Sequence, residues 1–375
     1  MARIVLAMSG GVDSSVAAHL LRAAGHEVVG VFMRHGEPAV SQASCGSEKQ
    51  ESTSQLRIVS GRADHKQGCC SASDAQDARR VADQLDIPFY AIDFREEFSQ
   101  IIDYFIEEYT AARTPNPCVM CNNWIKFGRL FDYADSVGAE FVATGHYARL
   151  VPGAGPEDSV GLCRGLDETK DQSYVLFGIE RRLLERMLLP IGGHRKTEIR
   201  RLAHQLDLRV ADKKDSQEIC FVPDGDHAAF IRGKRGESAS AGEVVTSDGQ
   251  VVGWHDGLEK FTIGQRKGLG IALGEPRFVI RLESDTHRVV LGTKAELARG
   301  DLSANRANWL VAPPVGGRPC QVKIRYNAKP VGATVAALDD DRLHVKFDEP
   351  QYGVAPGQAV VCYDDDLLLG GGWIE

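Results

Sequence analysis

The sequence predicts an α/β protein that begins with a parallel sheet covered by helices on both faces and ends with a small β-barrel. From residue 3 to residue 144, short apolar runs alternate with helical patterns, which is typical of right-handed βαβ units. From about residue 286 the pattern changes to short strands separated by turn residues, as in a small barrel or sandwich. The length of 375 residues exceeds what one hydrophobic core usually holds, so we expect several domains.

The first domain is expected over residues 1–212, and each of its elements follows from a local pattern. Apolar runs predict strands, whereas apolar residues at helical spacing predict helices, the first of them closed by Gly25. The strands are expected at 3–8, 27–33, 89–93 and 140–144, and the later helices near 73–85, 96–110 and 122–135. The polar stretch 34–71 has no clear period and is interpreted as a flexible insertion.

Two further domains are expected after residue 212. Residues 213–285 are rich in glycine and weakly periodic, which indicates a central linking domain. Residues 286–375 are expected to form the C-terminal β-barrel, with strands at 320–326, 331–336, 342–347 and 358–363.

Composition excludes some classes of protein. The chain is 43% hydrophobic and 26% charged with a formal net charge of −8, and it has no apolar run long enough to cross a membrane. The start of the sequence lacks an export signal, so a cytoplasmic protein is expected. The acidic average gives no global nucleic-acid signature, although residues 194–214 carry seven Lys/Arg against three Asp/Glu, a local basic stretch that suits phosphate contacts or a solvated helix face equally.

The strongest early motif is the run SGGVDSS from Ser9 to Ser15, between a strand and a helix. Adjacent glycines fold tightly and expose backbone N–H groups, and the helix N-terminus favours an anion. The motif therefore predicts a phosphate cradle. It lacks the lysine of a GxxxxGK[ST] loop, and Asp13 is a candidate ligand for Mg²⁺ beside the phosphates.

Nine cysteines in a chain without an export signal favour metal, redox or nucleophilic use of some of them. Cys118 and Cys121 follow a proline-rich turn just before a helix, where the helix dipole favours a thiolate. Cys220 lies between apolar neighbours and, taken alone, indicates a buried core cysteine. Cys163, Cys320 and Cys362 lie in strand-like contexts and are interpreted as core residues.

The SGGxDS loop resembles that of the N-type ATP pyrophosphatases (the PP-loop superfamily), which adenylate a substrate with ATP. Six motifs in order narrow the resemblance to the tRNA-specific 2-thiouridylase family, over nearly the full chain. They are SGGVDSS, RTPNPCVMCN (113–122), ATGHYAR (143–149), KDQSYVLF (170–177), DSQEICF (215–221) and TIGQRKGLGI (262–271).

The resemblance implies an ATP- and Mg²⁺-dependent sulfurtransferase that converts the wobble uridine, position 34 of lysine, glutamate and glutamine tRNAs, to 2-thiouridine. Cys220 would carry persulfide sulfur from a cysteine desulfurase or sulfur-relay protein, and Cys121 would be the second catalytic cysteine, leaving a disulfide with Cys220. The implied ATP contacts are Ala7, Met8, Ser9, Gly10, Gly11, Val12, Asp13, Ser14, Met33 and Gly145. The implied tRNA contacts are Asn116, Pro117, Cys118, His146, Lys170, Asp171, Gln172, Arg325, Tyr326 and Gln358.

Several alternatives stay open at this stage. Many family members have an aspartate where this chain has Cys118, and three cysteines (Cys118, Cys121 and Cys220) suit an iron–sulfur cluster such as [4Fe–4S] with one open iron. An amide-forming synthetase of the same superfamily would need an ammonia source, and no glutaminase nucleophile motif is present. An RNA-binding or sulfur-carrier module without catalysis is a third alternative, against which the intact loop and both thiols argue.

Overall fold

The computed structural model describes residues 1–34, 72–154, 159–215, 219–222, 224–236, 240–271, 274–338 and 341–375. The insertion expected at 34–71, with Cys45, Cys69 and Cys70, lies outside these residues from position 35 onward. Within the described ranges, no helix is long and apolar enough to cross a membrane.

The N-terminal domain is the predicted parallel sheet with helices on both faces. Its five strands are ordered β3-β2-β1-β4-β7 and all their pairings are parallel. The elements are β1 (Arg3–Ala7), α1 (Val12–Ala23), β2 (Glu27–Arg34), α2 (Ala72–Gln84), β3 (Phe89–Asp93), α3 (Arg95–Thr110), α4 (Pro117–Met120), a π-helix (Cys121–Arg129), α5 (Leu130–Ser136), β4 (Phe141–Ala143), β5 (Ala148–Val151), β6 (Gly161–Arg164), short 3₁₀ helices (Ser173–Leu176 and Arg181–Arg186), β7 (Met187–Leu188) and α6 (Lys196–Gln205).

The alternation of side chains along β1 divides the core of this domain into two layers. Val5 and Ala7 belong to a cluster with residues of α3 and α5, whereas Ile4 and Leu6 belong to a cluster with residues of α1, α2 and α6. Because successive side chains of a strand point to opposite faces, this partition shows that helices cover both faces of the sheet. The loops that follow the strands therefore meet at one edge, where ligands of such sheets bind.

The middle domain is a four-stranded sheet of order β10-β11-β8-β9. Its elements are α7 (His227–Arg235), β8 (Gly242–Thr246), β9 (Val251–His255), a 3₁₀ turn (Leu258–Lys260), β10 (Phe278–Glu283) and β11 (Arg288–Gly292). The domain boundary expected at 285/286 falls between β10 and β11. These two strands pair from Phe278↔Gly292 to Glu283↔Arg288, so this sheet extends to Gly292.

The C-terminal sheet closes into a six-stranded barrel, as predicted. After α8 (Lys294–Leu297) come β12 (Ala298–Trp309), β13 (Arg318–Lys323), β14 (Val331–Ala337), β15 (Leu343–Tyr352), β16 (Ala359–Asp364) and β17 (Leu367–Ile374). The strand order is β12-β15-β14-β13-β16-β17, and β12 also pairs with β17. The hairpin of β5 and β6 from the first domain extends this sheet beyond β17.

Candidate active site

The glycine loop lies where β1 ends and α1 begins. Gly10 has φ of +72°, and a Cβ at this position would lie 2.2 Å from the backbone oxygen of Asp74. The Ser14 hydroxyl accepts a hydrogen bond from Ser9 N at 3.2 Å and donates to Gly11 O at 3.3 Å. The loop therefore closes on the start of α1 in a shape that only glycine allows at position 10.

The ATGHY motif packs against the glycine loop. A Cβ at Gly145 would lie 2.8 Å from Ser14 N, so the two backbones approach without room for a side chain. Met33 lies in β2, which pairs with β1, and packs against the core cluster beneath the sheet. The structure thus brings Gly145 against the run from Ala7 to Ser14 and keeps Met33 on the adjacent strand.

Residues from distant segments contact Asp13 and the glycine loop. The Lys196 ammonium lies 2.7 and 2.9 Å from the two carboxylate oxygens of Asp13, and the Tyr147 hydroxyl donates to Asp13 at 2.7 Å. Burial, followed by the charge of Asp13, raises the pKa of Tyr147 well above its ordinary value. Lys213 Nζ donates to Gly10 O at 2.9 Å and also contacts Asp74 and Asp77.

Lys196, Tyr147, Lys213 and Asp215 were not among the site residues expected from the sequence. Asp215 accepts from Lys170 at 2.7 Å and lies 2.8 Å from Lys196. Burial acts to raise the pKa of Asp215, but hydrogen bonds from Lys170 and Lys196 lower it to about 2. The available signal was the basic stretch 194–214, which proves to line the glycine loop through Lys196 and Lys213.

The turn that carries Cys118 and Cys121 leads into a helix, as expected. Asn116 caps α4 by accepting a hydrogen bond from Val119 N at 3.4 Å, and Pro117 is the first helical residue. Cys118 is exposed, whereas Cys121 is partly buried at the start of the π-helix. π-Helical turns are rare and often mark functional sites.

The barrel holds this turn from the opposite side. Gln358 Nε2 donates to Thr114 O at 3.0 Å and to Pro115 O at 3.2 Å. Thr114 N donates to Pro356 O at 2.8 Å, and a Cβ at Gly357 would lie 3.0 Å from Thr114 N. Gln358, expected to contact tRNA, therefore contacts the cysteine turn in this structure.

Cys220 and Cys121 pack against the same hydrophobic cluster of the first domain. The neighbouring Phe221 ring lies 5.7 Å from Phe98 and 5.1 Å from Phe105, both on α3. Both cysteines are therefore partly buried against apolar side chains of this cluster. Among the described residues, no group of three or more His, Cys, Asp or Glu side chains could hold a metal ion, so Cys118, Cys121 and Cys220 do not form such a ligand set here.

Several expected tRNA contacts are engaged within the protein. His146 is 6% exposed, its Nδ1 lies 2.7 Å from Thr144 Oγ1, and its pKa falls well below 6.5 because of burial and then the charge of Lys126. Asp171 Oδ1 accepts from Gly165 N and Ser173 N, both at 3.0 Å.

Gln172, Arg325 and Tyr326 also have partners inside the protein. Gln172 Oε1 accepts from Tyr147 N at 2.9 Å. Arg325 donates to Ile263 O and Gly353 O at 2.7 and 2.8 Å, which joins the middle domain to the barrel. Tyr326 stays partly exposed, and burial, then the charges of Asp171 and Cys118, raise its pKa to about 12.

The fold and the site define a class of protein, and family models place the chain in it. A model described as tRNA methyl transferase HUP domain matches residues 2–224. A model described as tRNA methyl transferase PRC-barrel domain matches residues 228–293. A model described as aminomethyltransferase beta-barrel domain matches residues 299–374. The chain is thus a HUP-domain protein with two appended β-domains.

Full-length relatives identify the particular family. The chain is 57% identical to a protein of Rhodopirellula baltica named tRNA-specific 2-thiouridylase MnmA, with 100% of this chain and 96% of the relative covered. Relatives of the same name from Carboxydothermus hydrogenoformans and Geotalea uraniireducens are 46% and 45% identical, with 100% of this chain and 97% and 95% of those proteins covered. The chain belongs to the tRNA-specific 2-thiouridylase family of enzymes.

Proposed function

We propose that this protein converts uridine 34 of tRNA to 2-thiouridine with ATP and with sulfur carried on Cys220. A uridine carbonyl is a poor electrophile until its oxygen is activated. In the first step the uridine O2 attacks the α-phosphorus of ATP, which gives an O-adenylated base and releases pyrophosphate. Family membership supports this reaction, and the glycine loop supplies the backbone donors that a phosphate needs.

In the second step the terminal sulfur of a Cys220 persulfide attacks C2 of the activated base, and AMP leaves with the former O2. The Cys121 thiolate then attacks Cys220 Sγ. The sulfur–sulfur bond breaks toward the sulfur on C2, so 2-thiouridine is released and a Cys121–Cys220 disulfide forms. A thiol reductant must reduce this disulfide before the next turnover, and a cysteine desulfurase or sulfur-relay protein must reload the persulfide.

The observation that carries the proposal is that Cys121 and Cys220 pack on the same hydrophobic cluster. The exchange step requires two thiols, and the chain contributes both of them to one core cluster. The cysteine turn is also held from two sides: its start bonds to Gln358 of the barrel, and Arg113 forms an ion pair with the buried Glu108 at 2.6 Å. Such support keeps a reacting group in position.

ATP and Mg²⁺ fit the residues at the glycine loop. Gly10 packs against the backbone of Asp74 and Gly145 against that of Ser14, with no room for a side chain at either position. The loop is therefore fixed at the N-terminus of α1, which favours a phosphate. Asp13 is the carboxylate that would hold Mg²⁺, an ion that neutralises phosphate charge during transfer. The proposed ATP contacts are Ala7, Met8, Ser9, Gly10, Gly11, Val12, Asp13, Ser14, Met33 and Gly145.

The proposed tRNA surface centres on the exposed Cys118 and the partly exposed Tyr326. A uridine must leave the base stack before C2 is accessible, and a tyrosine ring offers a platform on which a base stacks. Lys170, which is 34% exposed at its side chain, is the nearby candidate for a phosphate contact. Asn116, Pro117, Gln172 and Gln358 would support this surface by shaping the backbone.

The test is nucleoside mass spectrometry of unmodified lysine, glutamate or glutamine tRNA. The tRNA is incubated with the protein, ATP, Mg²⁺ and a desulfurase-fed sulfur source, with and without oxygen. We expect 2-thiouridine in both atmospheres and one pyrophosphate per thiolated base. Tight tRNA binding without tRNA-dependent pyrophosphate release would contradict the proposal and favour a binding module.

The same experiment separates the two sulfur chemistries. Thiolation that occurs only without oxygen, by protein that contains iron and absorbs visible light, would replace the persulfide by an iron–sulfur cluster on Cys118, Cys121 and Cys220. Pyrophosphate release without any thiouridine, with the sulfur donor shown to be competent, would instead indicate another adenylating synthetase of the superfamily.

A further inference from the structure

A chain of ion pairs connects the glycine loop to Lys170. The Lys196 ammonium lies 2.7 Å from Asp13 and 2.8 Å from Asp215. The other oxygen of Asp215 accepts from Lys170 at 2.7 Å, and Arg200 lies 3.0 Å from Asp215. We call these five residues the Asp215 cluster. It joins the ATP side of the site to the KDQ stretch.

The residues of the Asp215 cluster differ in how many oppositely charged partners they have and in how exposed they are. Three cations surround Asp215, while Lys196 has two carboxylates within contact distance. The Lys196 side chain is 9% exposed, whereas the Lys170 side chain is 34% exposed. A buried ammonium must keep an anionic partner, so any ligand that takes a cation from Asp215 changes how Lys196 is shared.

We propose that Asp215 is a positioning residue that couples tRNA binding to ATP binding. This inference rests on the proposed function, in which Asp13 faces ATP and Lys170 faces a tRNA phosphate. Asp215 itself touches neither ligand. It acts by its simultaneous contacts with Lys170 and Lys196.

The sign of the coupling follows from the geometry. When a tRNA phosphate draws Lys170 away, Asp215 loses one cation and attracts Lys196 more strongly. Lys196 then shares less of its charge with Asp13, whose carboxylate becomes available for the cation that accompanies ATP. Because coupling between two binding sites is reciprocal, ATP binding strengthens tRNA binding by the same factor.

The experiment measures the affinity of the α,β-methylene analogue of ATP, with Mg²⁺, by equilibrium dialysis with and without saturating unmodified tRNA. The analogue cannot adenylate the base, so only binding is observed. In the unaltered protein we expect tRNA to tighten analogue binding about tenfold, within the usual range for coupled sites. Asp215→Asn should bring this ratio close to one, and Asp215→Glu, which keeps the carboxylate, should restore part of it.

Two further variants separate coupling from a general structural effect. Asp212→Asn is the matched control, because its side chain is 90% exposed in the same segment and lies 3.3 Å from the ring of His204; it should keep the full ratio. Lys170→Met removes the proposed tRNA contact and also deprives Asp215 of that cation permanently. It should therefore raise analogue affinity without tRNA toward the tRNA-bound value and bring the ratio close to one. The double variant Asp215→Asn, Lys170→Met should lose no more coupling than either single variant.

The outcomes are distinguishable. An unchanged ratio in Asp215→Asn, or a ratio of one in unaltered protein that still makes 2-thiouridine, overturns the coupling and leaves the proposed function intact. Unaltered protein that binds neither ligand, or makes no 2-thiouridine, overturns the proposed function and the coupling with it. If Asp215→Asn unfolds, a full ratio in Lys170→Met overturns the coupling in its place.

Discussion

The glycine loop and the cysteine turn are held by different forces. Lys196 and Lys213 reach the loop region as charged partners of Asp13 and Gly10. The cysteine turn has one ion pair at its start, between Arg113 and the buried Glu108. At Thr114 and Pro115 it is held by uncharged hydrogen bonds from Gln358 and by the adjoining barrel backbone. Charged contacts re-pair when a charged ligand arrives, whereas neutral contacts keep a fixed geometry. The first region therefore suits phosphate binding, and the second suits two thiols that must meet accurately.

The largest effect is expected when either of the two proposed catalytic cysteines is replaced. Cys121→Ser or Cys220→Ser should lower the rate of thiolation by about 10⁴-fold or more, the scale of losing a nucleophile. The affinity of the protein for the ATP analogue should stay unchanged. Cys320→Ser is the control, since Cys320 is partly buried in the barrel. Nucleoside mass spectrometry measures the product, and substantial activity in Cys220→Ser would contradict the persulfide role.

The second effect tests whether close packing shapes the glycine loop. Gly10→Ala places a Cβ 2.2 Å from Asp74 O at φ of +72°, so the free energy of unfolding should fall by about 3 kcal/mol or more. Gly25→Ala has a similar φ of +83° with open space around it and should cost only about 1–2 kcal/mol. Denaturant unfolding measures both, and equal losses would show that the contact with Asp74 is unimportant.

The third effect concerns the hydrogen bonds by which the barrel holds the cysteine turn. Gln358→Ala removes two hydrogen bonds to the backbone carbonyls of the cysteine turn, which should cost about 2 kcal/mol of stability. The rate of thiolation should fall while ATP affinity does not change. Gln351→Ala is the control, because the Gln351 side chain donates to Glu349 O in its own strand. A fall in ATP affinity for Gln358→Ala would show that the two regions are not independent.

The smallest effect concerns His146, a buried side chain of the ATGHY motif. Its pKa is lowered in the folded state by burial and by Lys126, so the unfolded chain binds the proton first as the pH falls below 6.5. Stability should therefore decrease on acidification from pH 6.5 to 5, by at most about 1.4 kcal/mol per pH unit from this group. His146→Gln should flatten that part of the curve, and an unaltered slope would contradict the assignment.

The sequence predicted the elements whose patterns are local. Strands β1 to β4 and the helices between them follow from apolar runs and helical spacing, and Gly25, at φ of +83°, follows the end of α1 as expected. The glycine loop was recognisable because its residues are contiguous. The π-helix at Cys121–Arg129 was not, since a wider helical turn over nine residues leaves nearly the same apolar pattern as an α-helix.

Long-range partners could not be predicted in the same way. Nothing in a sequence of isolated lysines shows that Lys196 reaches Asp13, because the contact depends on how α6 packs beside α1. The partners of Gln358 and Arg325 likewise depend on how three domains meet. Gln358 and Arg325 were expected in the site through motif resemblance, which carries no information about whether a side chain faces the ligand or another part of the protein.

The β5–β6 hairpin is translated long before the barrel strand that pairs with it. Its strands emerge from the ribosome with the first domain, but β6 pairs with β17, whose Leu367 lies opposite Cys163 near the end of the chain. Until that segment is translated, one edge of the hairpin has no neighbouring strand from the barrel. Unpaired strand edges promote association between nascent chains, so this edge is open to such association from the translation of residue 164 until that of residue 367.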